Sequence, residues 1–174
     1  MGNWVLPHVQ TTHYEFTTPT EEGVEHVANN LRISDREEVF ACMGNSRYHD
    51  AIKLSMVGAD DTVMAVNAYS EPVALLGVST TSVLYKTGCP WMLCTPQARQ
   101  HKRAFIELAD FYTLAMLNEY SSLENYVDVR NITSIAWLKR IGFVMSEPEP
   151  YGALGMPFYP FRIERPALCA TQMS

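Results

Sequence analysis

The sequence predicts a single α+β domain, and two observations carry this prediction. The hydrophobic pattern changes along the chain from helical stretches to consecutive strands, and then to a long helix, a strand, a helix and a final strand. No linker, internal repeat or low-complexity segment divides the 174 residues. We therefore expect residues 1–174 to form one domain, which at this length buries roughly 70% of its unfolded surface.

Three helices are predicted before the first strand. Residues Thr18–Glu21 place Thr at the N-cap, Pro at N1 and Glu at N3, so a helix is expected to run to about Asn30. Ser34–Glu37 repeats this capping pattern for a second helix, which Gly44 ends. A third helix is predicted over about 48–57 and is followed by another glycine.

Strands then alternate with helices. Residues 62–69 and 73–79 are rich in β-branched and apolar residues and are joined by a tight turn, so they predict two paired strands. A third strand is predicted over about 91–95. Pro96 then begins a long helix to about Asn118, with one apolar face.

Residues 125–143 are the most informative stretch of the chain. A strand is followed by Asn131 at an N-cap position, a helix, Gly142 where a left-handed residue is expected, and Phe143 at the start of another strand. A last aromatic segment over about 157–163 suits a half-buried core strand better than an exposed docking edge.

Composition excludes several classes of protein. Hydrophobic residues make up 47% of the chain and charged residues 18%, which is typical of a globular protein. The net charge of −6 argues against general nucleic-acid binding. No apolar run approaches ~20 residues and no basic n-region precedes an apolar core, so neither a membrane span nor a signal peptide is expected.

The cysteines show no CxxC spacing, which indicates free thiols in a reducing compartment rather than disulfides. They are Cys42, Cys89, Cys94 and Cys169. The separation of Cys89, Cys94 and His101 matches no common zinc pattern, so no metal site is predicted.

The strand–Asn–helix–Gly–Phe pattern of residues 125–143 resembles the last motif of the GNAT N-acetyltransferase superfamily. The order of elements fits that superfamily along nearly the whole chain. The resemblance implies a mixed, mostly antiparallel central sheet flanked by helices. It also implies acetyl-CoA as cofactor, with its pantetheine arm on a splayed strand and its pyrophosphate at the start of the long helix.

In this chain the matching segment is Trp91–Arg103. The resemblance implies cofactor contacts from the strand and the loop, together with Asn131, whose position is also explained by capping alone. These residues are Met92, Leu93, Cys94, Gln97, Arg99, Gln100, Lys102, Arg103 and Asn131.

The loop departs from the pattern of the superfamily. Gln97 fits the first position of the pattern, but Gln100 and Lys102 stand where the pattern has small residues. Small residues at these positions let the backbone approach phosphate. Arg99, Lys102 and Arg103 instead concentrate positive charge in the first turns of the helix. Cations there are unfavourable unless an anion compensates. The segment therefore indicates either phosphate binding by side chains or a solvated basic face.

The catalytic residues stay unassigned. Leu138 occupies the position where active members carry a tyrosine that reprotonates the CoA thiolate. Tyr126, Tyr112 or a cysteine could substitute, and nothing in the sequence singles one out. Among the carboxylates, the sequence marks no general base; the candidates are Glu71, Asp128 and Glu124.

Within the superfamily, the chain most resembles the phage GNAT-like group that includes internal virion protein A of short-tailed phages. The residues that carry this resemblance are 72–77, Arg99, Lys102–Phe105, 125–127, Asn131, Ile135, Leu138–Lys139 and Ile141–Gly142.

That resemblance implies a protein with a degenerate acetyl-CoA loop. It would act in virion assembly or genome ejection through contacts with phage virion proteins or a host protein, in the host cytoplasm or within the virion. Two alternatives stay open: an active acetyl-CoA-dependent N-acetyltransferase that modifies a host amine, and a module that binds acyl-CoA or another nucleotide as a structural ligand without turnover.

Overall fold

The computed structural model describes residues 11–166, so the predicted free thiol of Cys169 lies outside the described residues. The described helices are α1 Glu21–Asn29, α2 Ile33–Met43, α3 Tyr48–Val57, α4 Lys102–Glu119 and α5 Ile132–Arg140, with a 3-10 turn at Pro96–Arg99. The described strands are β1 Tyr14–Thr17, β2 Asp61–Asn67, β3 Pro72–Ser82, β4 Thr87–Cys94, β5 Ser122–Asp128, β6 Val144–Met145, β7 Glu149–Tyr151 and β8 Met156–Glu164.

The strands form one mixed sheet in the order β1-β2-β3-β4-β5-β8-β6, and β7 pairs with β8. Every described pairing is antiparallel except that of β4 with β5. Helices cover both faces: α1 and α3 pack against Met64 and Leu75, while α4 packs against Val63 and Leu76. The α+β class and the mostly antiparallel sheet predicted from the sequence are thus confirmed.

The parallel strands β4 and β5 separate soon after they pair. Their register joins only Thr87 to Ser122 and Gly88 to Leu123, although each strand continues well beyond these positions. Further along, the gap is crossed by one side chain, because Asn125 Nδ2 donates a hydrogen bond to Pro90 O at 2.8 Å. The divergence opens the sheet at its centre.

Several local predictions are confirmed. Helix α3 spans the predicted 48–57, and Gly44 ends α2 in the left-handed conformation at φ +71°. Asn131 caps α5 by accepting from Ser134 N at 3.3 Å, and Gly142 follows α5 with φ +103°. The last aromatic segment is a core strand, because β8 lies between β5 and β6 with Phe158 fully buried.

Two predicted helix starts are wrong. The N-cap of α1 is Thr20, whose hydroxyl accepts from Gly23 N at 3.1 Å, and not Thr18. The predicted capping box at Ser34–Glu37 does not form. Helix α2 begins at Ile33 with Arg32 as its N-cap, two residues before the predicted N-cap Ser34, and the Asp35 side chain in its first turn accepts from Cys94 N at 2.7 Å. Strand β1 was not predicted at all.

The long helix also begins later than predicted. Pro96 starts a 3-10 turn, and α4 itself begins at Lys102. Within the described residues, no helix combines the length and hydropathy that crossing a bilayer requires.

Candidate ligand cleft

A cavity of about 360 Å³ passes through the opening between β4 and β5. Helices α2 and α3 line it on one face of the sheet, and α4 lines it on the other. We call it the through-sheet cavity; it is marked by Glu38, Trp91, Tyr112, Asn125, Tyr126 and Tyr151. Its position follows from the divergence of the strands, since a closed sheet would separate these helices.

A second cavity, of about 410 Å³, lies between the start of α4 and the exposed side of α5. Among the described residues that line it, the charged ones are all cations, and none is a carboxylate. We call it the basic cavity; its cations are Arg32, Arg99, Lys102 and Arg140. Its floor is apolar and includes Phe105 and Ile106.

The two cavities meet. Met92, Ser134 and Trp137 line both of them, so the two cavities adjoin, and together we call them the cleft, which extends from the start of α4 to the opening in the sheet. The Trp137 indole is held by a hydrogen bond from Nε1 to Asp110 Oδ1 at 3.2 Å. An extended ligand can therefore bind with an anionic group in the basic cavity and its other end between the strands.

The basic cavity has an electrostatic reason to bind anions. The N-cap residue of helix α4 is His101, whose side chain makes no capping hydrogen bond, and the first N–H groups of any helix lack helical partners. Arg32 is positioned by hydrogen bonds to Asp35 Oδ1 at 2.7 Å and Ser134 Oγ at 2.9 Å. Positive side chains and a helix N-terminus thus point to the same space.

Tyr14 of β1 fixes the segment that precedes α4. Its buried hydroxyl donates to Gln97 O at 3.1 Å and accepts from His101 N at 3.2 Å. Burial raises the pKa of Tyr14, and the bond from His101 partly offsets this. One backbone donor of the loop is therefore already used, which leaves the side-chain cations as the larger source of anion affinity.

A carboxylate lies at the other end of the cleft. Glu38 of α2 lines the through-sheet cavity and accepts from Asn131 Nδ2 at 2.8 Å. Burial raises the pKa of Glu38 to about 7; the bond from Asn131 lowers it, and the nearby Asp35 and Asp128 raise it further. Asn131 therefore both caps α5 and positions this carboxylate.

The carboxylates that the sequence suggested as bases are engaged elsewhere. Asp128 is fully buried, but four hydrogen bonds from Arg130 outweigh the effect of burial and hold its pKa below the ordinary value. Glu124 pairs with Arg162 at 3.0 Å, and Glu71 accepts from Asn67 at the β2–β3 turn. None of the three lines either described cavity.

The hydroxyl and thiol groups of the through-sheet cavity do not single out a general acid. Tyr112 donates to Asp61 at 2.9 Å, and burial raises its pKa. Tyr126 donates to Glu149 at 2.9 Å, which raises its pKa. Burial raises the pKa of Cys42 and of Cys89 to about 11, so both thiols stay protonated at neutral pH. Leu138, at the tyrosine position of the superfamily, is buried.

The structure separates the residues that the sequence suggested for the cofactor. Met92 lines both cavities; Leu93 and Asn131 line the through-sheet cavity; Arg99 and Lys102 line the basic cavity. Cys94, Gln97, Gln100 and Arg103 line neither.

The residues outside the cavities have clear positions. Cys94 is buried, and both its backbone groups are bonded to the start of α2, N–H to Asp35 and C=O to Arg32 N. Arg103 points to solvent and pairs with Glu107 at 3.4 Å. Gln97 lies in the 3-10 turn, and Gln100 is exposed.

Arg32, Arg140 and Glu38 were missed by sequence reasoning. Each lies far along the chain from the loop motif at 97–103, and a lone Arg or Glu on a helix is usually a solvated residue. No local signal distinguishes them.

The fold belongs to the GNAT acetyltransferase class. Spermidine N-acetyltransferase from Vibrio cholerae, in complex with CoA and spermine, matches with a TM-score of 0.64 at 12% identity, over 89% of this chain and 97% of that one. A GNAT-family acetyltransferase from Bacillus anthracis matches with a TM-score of 0.69 at 12% identity, over 92% and 100%. Ribosomal-protein-S5-alanine acetyltransferase from Vibrio fischeri gives 0.60 at 14% identity, over 92% and 97%.

At these identities the structural matches establish the fold alone. No curated protein sequence matches the chain significantly. A family model described as bacteriophage T7, probable scaffold protein Gp13, matches residues 62–148, which is half of the chain. The protein therefore belongs to that phage family, on a GNAT fold.

Proposed function

We propose that this phage-family protein binds an acyl-CoA in the cleft and transfers the acyl group to an amine. The single observation that carries this proposal is that the basic cavity adjoins the through-sheet cavity at Met92, Ser134 and Trp137. Such a cleft accommodates a ligand with a polyanionic end and a long, thin arm. A CoA thioester has this form.

The phosphates are held by side chains in this proposal. Arg99 and Lys102 act from the start of α4, and Arg32 and Arg140 act from the opposite wall. A glycine loop brings backbone N–H groups to phosphate, but here Gln100 and Lys102 occupy those positions and Tyr14 takes one donor. Flexible cations replace the loop, at the cost of stronger salt dependence.

Acyl transfer needs the thioester to reach an acceptor. Asn125 and Pro90 O narrow the opening between the strands, and Met92 lies beside it, so the thioester end would enter the through-sheet cavity next to Asn131 and Ser134. The structure of spermidine N-acetyltransferase that shares the fold was determined with CoA and spermine. This precedent supports the ligand class without defining the acceptor.

Calorimetric titration with acetyl-CoA tests the proposal. We expect micromolar binding by the unaltered chain and at least a 100-fold loss in the double variant Arg99→Gln, Lys102→Gln. The matched control is Arg103→Gln, because Arg103 has the same charge on the same helix but points to solvent. No binding at millimolar acetyl-CoA would refute the proposal. Equal losses of affinity in the control and in the double variant would show that Arg99 and Lys102 do not hold the phosphates.

A second candidate function is a role in virion assembly or genome ejection through protein contacts. The family description supports it, and so does the tip of the β3–β4 hairpin, where Val83, Leu84 and Tyr85 are each more than 70% exposed. Consecutive exposed apolar residues are unusual on a free surface. Phage virion proteins or a host protein would cover them, in the host cytoplasm or the virion.

Mass spectrometry of purified virions tests this second candidate. We expect the protein in virions of an infected host, and its loss when Val83, Leu84 and Tyr85 are replaced by Ser with the fold preserved. Absence of the unaltered protein from virions and from assembly intermediates would exclude a structural role, whatever the outcome of the acetyl-CoA titration.

A further inference from the structure

The through-sheet cavity carries a single type of charge. Among the described residues that line it, Glu38 alone is charged, and the rest are apolar, aromatic or neutral polar. An isolated carboxylate in an otherwise uncharged cavity attracts a cation more strongly than an exposed one, because less water screens it. The lining therefore selects a ligand with one positive group.

Glu38 is held in place rather than free to rotate. Asn131, only 3% exposed, donates to its Oε2 at 2.8 Å. The other end of the same amide caps α5 through Ser134 N, and Ser134 lies where the two cavities meet. Asn131 thus links the Glu38 carboxylate to Ser134, and the thioester of the proposed ligand would lie next to Ser134.

Aromatic side chains line the same cavity as Glu38. Tyr126 and Tyr151 stack with ring centroids 4.0 Å apart and planes at 11°, and Trp91 lines the cavity from β4. Aromatic faces attract cations, and they also provide apolar contact for the body of an amine. Together with Glu38, they fit a primary ammonium group on an apolar or aromatic body.

We propose that Glu38 binds the ammonium group of the acceptor in the through-sheet cavity and takes a proton from it. This inference rests on the proposed acyl-CoA function and names the residue that prepares the acceptor. Glu38 removes one proton from R–NH₃⁺, and the amine lone pair attacks the thioester carbonyl carbon. The C–N bond forms and the C–S bond breaks. The thiolate leaves with the S–C electron pair and takes the second proton that the nitrogen loses.

The surroundings of Glu38 suit this exchange. Asp35 and Cys42 face it from α2, Asp128 from β5, and the cations Arg32 and Arg130 from the adjoining turns. Burial places the pKa of Glu38 at about 7, so the side chain is poised to gain and release a proton near neutral pH. Amine affinity should therefore rise as the pH increases through this value.

Titration without CoA tests binding directly. The probe is phenethylamine, and 2-phenylethanol is its uncharged counterpart. We expect the unaltered chain to prefer the amine, and Glu38→Gln to lose at least 10-fold in amine affinity without any change for the alcohol. Gln keeps an acceptor for Asn131, so the fold should persist. Glu37→Gln is the matched control, since Glu37 is its exposed neighbour on α2.

Turnover tests the proton transfer. With acetyl-CoA and phenethylamine, we expect N-acetyl product from the unaltered chain, with a rate that rises through about pH 7. In Glu38→Gln the rate should fall at least 100-fold and lose this pH step, and Glu38→Asp should restore part of both. Unchanged acetyl-CoA affinity in Glu38→Gln shows that the cofactor site is intact.

The outcomes separate the two proposals. If the unaltered chain binds no acetyl-CoA, the proposed function and the proton transfer both fail, and the amine titration alone decides whether Glu38 binds amines. If acetyl-CoA binds but Glu38→Gln acetylates as fast as the unaltered chain, the role of Glu38 is overturned and the function stands. Equal affinity of both variants for phenethylamine would overturn the binding role.

Discussion

The two ends of the cleft are opposite in charge and are built in different ways. The basic cavity collects cations that are mostly solvent-exposed, next to the uncapped start of α4. The through-sheet cavity contains one carboxylate, partly buried and held by Asn131. Ligand binding in the basic cavity depends on the number of positive charges, whereas binding in the through-sheet cavity depends on the position of one carboxylate. Their difference suggests that salt will weaken the basic end most, because exposed charges are screened first.

The two ends also differ in how they are supported. The hairpin turn between β7 and β8 holds α2, since Ala153 N donates to Cys42 O at 2.9 Å and Leu154 N donates to Ala41 O at 3.2 Å. These bonds satisfy carbonyls at the end of the helix that carries Glu38. The basic cavity depends instead on Tyr14 and the 3-10 turn. Substitutions can therefore disturb one end at a time.

The largest effect is expected for Gly152→Ala. Gly152 has φ +72°, and a Cβ there would lie 2.6 Å from Cys42 Cα and 2.8 Å from Ala41 O. Both contacts are with backbone, so the turn must lift away from α2, at a cost of about 3 kcal/mol or more. Chemical denaturation measures the loss. Amine affinity should fall while acetyl-CoA affinity is kept.

Gly155→Ala is the control for that substitution. Gly155 also has positive φ, at +58°, but a Cβ there would meet no atom within 4 Å. We expect a loss of only about 1 kcal/mol from backbone strain. If both variants were destabilised equally, the hairpin would not be docked on α2 as described.

Asn131→Ala should have the next largest effect. It removes the cap of α5, worth about 1 kcal/mol, and the bond to Glu38, worth roughly 1–2 kcal/mol. We expect a loss of about 2–3 kcal/mol in the free energy of unfolding. Asn131→Ser keeps a capping oxygen and should recover about 1 kcal/mol of this loss. Full recovery would show that the bond to Glu38 contributes nothing.

The pH dependence of stability should show the burial of Glu38. Its pKa rises from 4.5 to about 7 on folding, so between these values the folded state binds more protons than the unfolded one. The free energy of unfolding therefore falls as the pH increases from 4.5 to 7. Allowing for partial exposure, we expect a contribution of about 2 kcal/mol.

Glu38→Gln should flatten this part of the pH profile. Asp35, whose pKa burial also raises, changes stability in the same direction, so the difference between the unaltered chain and the variant is the quantity to measure. Parallel profiles for the two proteins would mean that Glu38 is as well solvated in the folded state as in the unfolded state.

The smallest expected effect is a gain in stability, and it concerns Lys102 in the basic cavity. Lys102 is the first residue of α4, where a positive charge opposes the helix dipole. Lys102→Gln should therefore stabilise the free protein by about 0.5 kcal/mol, although it weakens acetyl-CoA binding. Thermal unfolding without ligand measures the gain. A destabilised variant would show that Lys102 already has an intramolecular partner.

Most helices and strands of this fold can be predicted from the amino-acid pattern alone. Hydrophobic periodicity and turn residues placed helix α3 at its true bounds and β8 in the core, and Asn131 and Gly142 marked the two ends of α5. These features depend on neighbours in the chain, such as a cap that bonds three residues ahead. Interactions between near neighbours in the chain can therefore be predicted from a short stretch of sequence.

The tertiary structure decided what lies within the cleft. Of the cations that the sequence suggested, Arg99 and Lys102 line the basic cavity, whereas Arg103 faces solvent. The capping box predicted at Ser34–Glu37 does not form, and Asp35 within that segment accepts a hydrogen bond from the buried Cys94 N–H. The pKa of Glu38 is raised by burial and by the charges of Asp35 and Asp128, and the bond from Asn131 offsets this only in part; Asp128 and Asn131 lie far along the chain from Glu38. Burial and long-range contacts set the charge of a side chain, and neither is visible in a local pattern of residues.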